Sequence, residues 1–162
     1  MGQAIYQSIQ RYFQDHAIPY REIHHAPGAR TEDYHQAVGC EYQQQAKCLF
    51  LKVAEAERIY FVICAIPAQK KANFKTLRRL LNAKEVRFAT VEELKNVTGC
   101  DLGELAPLGK LFDVPLLMEK QLLEQTEIFI NAGRLDVSFA FHPLHLQRVE
   151  EPLVFEIQDV EP

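Results

Sequence analysis

The chain has 162 residues, 48% of them apolar and 25% charged, with a formal net charge of −4. That length suits one well-buried core and is short for two ordinary domains, so residues 1–162 are expected to form a single domain. The negative balance excludes a general nucleic-acid coat; no run nears the roughly 20 apolar residues of a membrane helix, and MGQAIYQSIQRYFQ lacks the pattern of a secretory signal. A soluble, cytoplasmic protein is expected.

Ile5, Ile9, Tyr12 and Phe13 recur at helical spacing up to Ile18-Pro19, where proline disfavours further helix. Tyr20 to Ile23 reads as a short strand, and His24 to Arg30, with Pro27 and Gly28, as a loop. Thr31 is expected to cap a helix that ends near Gly39, with Glu32 and Asp33 at its positive end. Ala46 to Val53 and Ile59 to Ile66 are rich in β-formers at hairpin separation and should pair antiparallel. Asn73 is expected to cap a helix through Leu81, Glu85 to Phe88 to form a strand, and Thr90 with Glu93 to make a capping box. Further strands are expected at Val114 to Met118, Glu127 to Asn131, Asp136 to Phe141 and Leu153 to Ile157, with Ala132-Gly133 as a turn. Short helices among many antiparallel strands point to an α+β fold around a curved, mixed, barrel-like sheet.

Side chains alternate across a strand, so in AKCLFLKV Lys47 shares a face with Leu49, Leu51 and Val53, and Cys48 shares the other with Phe50 and Lys52. An ammonium on a covered face needs partners or a watery cavity, and Lys47 stands near the strand's start, where such a cavity can open. A lysine that merely snorkels from a strand end is the competing reading. Thr98 to Gly109 holds three glycines and a proline, too many for a helix or a central strand. In such a loop the backbone can approach a ligand and aim N–H groups at it, although an ordinary surface turn has the same composition.

Cys40, Cys48, Cys64 and Cys100 lack CxxC spacing, and His24, His25, His142 and His145 complete no ligand spacing, so no metal and no cofactor are expected. Ser8 in a helix and Ser138 inside a strand make a serine triad hard to build. Lys70, Lys71, Lys75, Arg78, Arg79, Lys84 and Arg87 cluster with Glu85 among them, which reads either as an anion-docking surface or as a solvated helix face.

The run from Tyr20-Arg-Glu-Ile-His-His25 through Thr31, then Lys47-Cys-Leu-Phe-Leu-Lys52, Thr98-Gly99, Gly103-Glu-Leu-Ala-Pro107-Leu-Gly109 and Ala132-Gly133 resembles the YbaK/prolyl-tRNA-synthetase-associated domain family in order and spacing, from about Tyr20 to Val149. The resemblance implies a trans-editing hydrolase that removes a small amino acid such as Ala or Cys from mischarged tRNA, on tRNA-Pro or a related tRNA. Lys47 matches the family's functional lysine. Gly103 and Pro107 match the loop that holds the terminal adenosine and carbonyl region, while Glu104 stands where relatives often carry a second glycine. His25, Thr31 and His142, the last in the segment Phe141-His142-Pro143-Leu144-His145 that resembles the family's closing motif, are carried as substrate-binding positions. The implied partners are the tRNA 3′ end, as aminoacyl-adenosine, and an aminoacyl-tRNA synthetase. An aminoacyl ester is already activated, so a positioned water and a stabilised oxyanion suffice for its hydrolysis. The alternatives are a non-catalytic aminoacyl-tRNA binding module and a structural interaction domain.

Overall fold

The computed structural model describes residues 2–27 and 31–157. Helix α1 (Gly2–Asp15) buries Ile9, Tyr12 and Phe13 along one stripe. It stops as a Schellman turn: Ala17 takes φ 54°, Ala17 N donates to Gln14 O at 3.1 Å and Ile18 N to Phe13 O at 2.9 Å. After β1 (Arg21–His24), Thr31 opens α2 (Thr31–Val38) as its first residue; the expected cap, made by its side chain, lies outside the described residues.

Strands β2 (Ala46–Ala54) and β3 (Ile59–Pro67) form the expected antiparallel hairpin, with Lys47 opposite Ile66 and Ala54 opposite Ile59. Helix α3 (Phe74–Leu81) starts where the Asn73 side chain accepts from Thr76 N. β4 (Glu85–Phe88) pairs with β2 only along Leu51–Ala54, and α4 (Val91–Thr98) has the complete Thr90/Glu93 capping box. Short helices α5 (Gly109–Phe112) and α6 (Lys120–Leu123) flank β5 (Leu116–Glu119); β6 (Ile128–Arg134), β7 (Val137–Phe141), α7 (Leu144–Glu150) and β8 (Leu153–Phe155) follow.

The α+β class holds, and the barrel-like closure does not: the strands lie in two separate sheets, antiparallel β1-β7-β6 and mixed β4-β2-β3-β5-β8. An isolated bridge between Gln45 and Phe129 links the backbones of the two sheets. Ala132-Gly133 also departs from expectation. Both residues belong to β6, the pairing slips between Asn131 and Arg134, and the chain reverses at Leu135-Asp136. Gly133 takes φ 84° against α1, and a Cβ there would stand 2.7 Å from Ile5 Cγ2 and 2.8 Å from Tyr6 N. The glycine thus makes a bulge that admits the helix.

The main core lies between the three-stranded sheet, α1 and the Phe50, Ala65 and Met118 face of the larger sheet. Phe13 meets Phe139 and Phe141 edge-on, with centroids 5.2 and 5.0 Å away. Burying each such ring is worth about 1.5–3 kcal/mol. The other face of the larger sheet packs Leu51, Val53 and Cys64 against Leu77 of α3, while Tyr34 and Cys40 cover Phe129 and Ala140 on the far side of the smaller sheet. Among the described residues no helix is long and apolar enough to cross a membrane.

Candidate active site

A cavity of about 400 Å³ opens where β2 runs past the end of β4. One wall is β2 itself, from Gln45 to Phe50. Opposite it stand Leu102, Gly103 and Leu105 of the glycine-rich loop, with Asn131 of β6, and the rest is closed by Tyr34, the Phe88–Val91 link and Leu94 of α4. Lys47 and Gly103, far apart in sequence, therefore face one space.

The Lys47 ammonium donates to the carbonyls of Lys70 at 2.8 Å and Ala68 at 3.3 Å, on the turn that follows β3. An ammonium has three N–H donors, so one remains for a ligand. Burial, with the Lys71 cation nearby, holds Lys47 below the ordinary lysine value. Lys52, on the opposite face, pairs with Glu93 at 2.9 Å away from the cavity.

Gly103 adopts φ 88°, a conformation that L side chains rarely take. Its carbonyl accepts from Asn131 Nδ2 at 2.5 Å, so β6 fixes the loop. Glu104 turns back, its Oε1 accepting from Asp101 N at 2.8 Å, and it does not line the cavity. The charge that stands where relatives often carry a second glycine is spent on the loop's own turn. Pro107 is buried behind the loop and shapes it without lining the cavity.

His25 sits one layer back. Its Nε2 is 2.8 Å from Ser138 Oγ and its Nδ1 2.8 Å from Ala26 O, with its ring edge-on to Tyr34, which does line the cavity. Ser138 is fully buried in β7 and sealed from that space. Thr31 opens α2 and its side chain lies outside the described residues. His142 is exposed at the start of α7, where its Nδ1 accepts from Leu144 N at 3.2 Å, outside the cavity. Cys48 lines the cavity, but burial drives its thiol far above the ordinary value, so it stays protonated and is a poor nucleophile. Among the described residues no three His, Cys, Asp or Glu side chains gather as metal ligands do.

Tyr34 and Asn131 escaped the sequence reading. Asn is disfavoured inside strands, so Asn131 in a β-rich run was the available signal. Tyr34 gave none, because an aromatic on an amphipathic helix reads as core. At the cavity mouth Phe88, Val91 and Leu102 are 53%, 59% and 67% exposed. Phe74, the first residue of α3, holds the Phe88 ring edge-on at 5.1 Å. The basic cluster is thinned by two members: Lys70 reaches the buried Glu119 at 3.7 Å, and Arg87 pairs with Glu93 at 3.1 Å. Lys71, Lys75, Arg78, Arg79 and Lys84 remain exposed on and beside α3.

Known proteins resemble this chain along most of its length. The family model described as an aminoacyl-tRNA editing domain matches residues 25–149. The Multifunctional Ser/Thr-tRNA deacylase ProXp-y of Escherichia coli (strain K12) is 25% identical over 156 residues, covering 93% of this chain and 91% of that one. A proline–tRNA ligase of Thermosipho melanesiensis is 28% identical over 129 residues, 79% of this chain and 22% of the ligase. The fold is shared with the crystal structure of a candidate trans-editing enzyme for prolyl tRNA synthetase, at TM-score 0.78 and 20% identity over 96% of this chain and 98% of that one. The chain belongs to the aminoacyl-tRNA editing domain family, the family of aminoacyl-tRNA deacylases.

Proposed function

We propose that this deacylase acts in trans on tRNA-Pro or a related tRNA, removing a small wrongly attached amino acid such as Ala or Cys. The observation that carries the reading is the meeting of Lys47 and Gly103 in one cavity within a chain of the editing family. The Lys47 ammonium serves as a fixed cation for the ester carbonyl or the terminal phosphate, and the Gly103 loop receives the terminal adenosine. Water attacks the activated ester with no covalent enzyme intermediate. A synthetase pocket separates similar side chains by only about 1–3 kcal/mol per methylene, which is why a second hydrolytic sieve is needed.

The exposed apolar mouth suits unpaired bases of the 3′ end, and the cations of α3 beside it suit the phosphates behind them. Charge reversal by Arg78→Glu with Arg79→Glu is expected to weaken tRNA binding and to flatten the dependence of log K on log salt. The slope should lose about one unit per lost phosphate contact. An unchanged slope in a filter-binding titration would reduce these residues to a solvated helix face.

The reading is tested by deacylation of tRNA-Pro charged with Ala, Cys, Ser, Thr or Pro. Serine and threonine belong in the panel because the Escherichia coli relative carries them in its name. Hydrolysis of at least one small mischarged residue, with the prolyl ester spared, is the expected result. Binding without hydrolysis of any ester would leave only a carrier of aminoacyl-tRNA.

A further inference from the structure

Strand β2 is paired along its whole length on one side only. Ala68 N donates to Gln45 O at 3.0 Å and Glu55 N to Arg58 O at 2.9 Å, so the main-chain groups of odd-numbered residues face β3. Ala89 N donates to Phe50 O at 2.9 Å, so those of even-numbered residues face the β4 side. β4 pairs no further than Leu51, and β6 reaches β2 only at the Gln45 and Phe129 bridge. Between these two contacts the outer edge of β2 has, among the described residues, no strand beside it. Cys48 stands in the middle of that gap and lines the cavity, so its N–H and C=O point into the space.

We infer that the aminoacyl group of the substrate docks as one added residue of this ladder: its carbonyl oxygen accepts from Cys48 N–H, and its α-ammonium donates to Cys48 C=O. This rests on the deacylase reading and extends it to the groups that hold the reacting ester. An amino acid in extended conformation presents its nitrogen and its carbonyl oxygen to the same side, as Cys48 does, so the two match as a hydrogen-bonded antiparallel pair. Opposed residues in such a pair carry their side chains on the same face. An L side chain therefore lies on the Cys48 and Phe50 side, over Leu94 and Leu105.

The chemistry follows from the same contacts. Water adds to the ester carbon, the carbonyl π pair moves onto oxygen, and the Cys48 N–H stabilises that oxyanion. Collapse breaks the bond from carbon to the ribose oxygen, which takes up the proton released by the attacking water. Every amino acid except proline, whose nitrogen is held in a ring, presents the same primary ammonium and carbonyl, so the ladder fixes their esters whatever the side chain, and discrimination among them is left to the cavity walls. The thiol takes no part.

The test deletes the N–H of residue 48. Cys48→Pro removes a donor that no β-ladder bond uses, a place where strands tolerate proline. On wild-type substrate, alanyl-adenosine or the mischarged tRNA, it is expected to lose about a hundredfold in kcat. N-acetylation of the substrate's amine should raise KM about tenfold for the wild-type enzyme, since it removes a charged donor to Cys48 C=O. If the proline variant does not fold, replacing the peptide between residues 47 and 48 by an ester, through the α-hydroxy analogue of residue 48, deletes the same N–H without a ring. Full kcat in the folded N–H-deleted enzyme, or N-acetylated ester turned over as well as the free amine, overturns the ladder and leaves the deacylase reading standing. Failure of the wild-type enzyme on every aminoacyl ester overturns both.

Discussion

Lys47→Ala is expected to lower kcat/KM for deacylation by about a hundredfold or more, the scale seen when one preorganised donor to a developing oxyanion is removed. The side chain reaches the cavity from β2 with two of its N–H groups fixed on Ala68 O and Lys70 O. Those bonds hold the cation still, so in the proposed role it would need no reorganisation as charge develops on the substrate. They also predict a moderate loss of thermal stability, since two carbonyls of the turn after β3 lose their donor. Lys47→Arg should not restore the rate, because a planar fork on a longer stem does not fit two carbonyls spaced for an ammonium. Lys52→Ala is the control: it breaks an ion pair with Glu93 outside the cavity and should leave turnover within about twofold. Equal rates in the two alanine variants, measured on the same mischarged tRNA, would remove Lys47 from the mechanism.

Gly103→Val is expected to be comparably damaging. At φ 88° a β-branched side chain costs about 1–3 kcal/mol, and the loop relieves that strain by shifting. Gly103 O is anchored by Asn131, so any shift breaks the 2.5 Å bond or pulls β6 with it. A displacement of about 1 Å at a reacting centre costs about a hundredfold in rate. Activity should therefore fall much further than the melting temperature, which for a chain of this size drops about 2–4 °C per kcal/mol. Asn131→Ala removes the anchor without adding a side chain, and should lower kcat in the same direction by a smaller factor. Full turnover by Gly103→Val would place the loop outside the site.

Local chemistry carried most of the elements. The Asn73 cap, the Thr90/Glu93 box, the β2–β3 hairpin and the stripe on α1 are each written in a few neighbouring residues, and each formed where those residues require. The family pattern marked Lys47 and Gly103, which the fold sets on one cavity, whereas the residues by themselves left a snorkelling lysine and an ordinary surface turn open. What depends on contact between distant segments was not legible. Sheet closure depends on which edges meet, and here, among the described residues, the two sheets share a single backbone bridge and stay separate. Gly133 reads as a turn until α1 lies against it, when the same positive φ becomes a bulge. Glu104 reads as a charge at the site until its carboxylate is seen on Asp101 N, and Lys70 as a surface cation until it is seen on Glu119. The open edge of β2 at Cys48 has no residue signature at all: main-chain donors are the same everywhere in a sequence, and only the register of β3 and the early end of β4 decide which of them face the cavity.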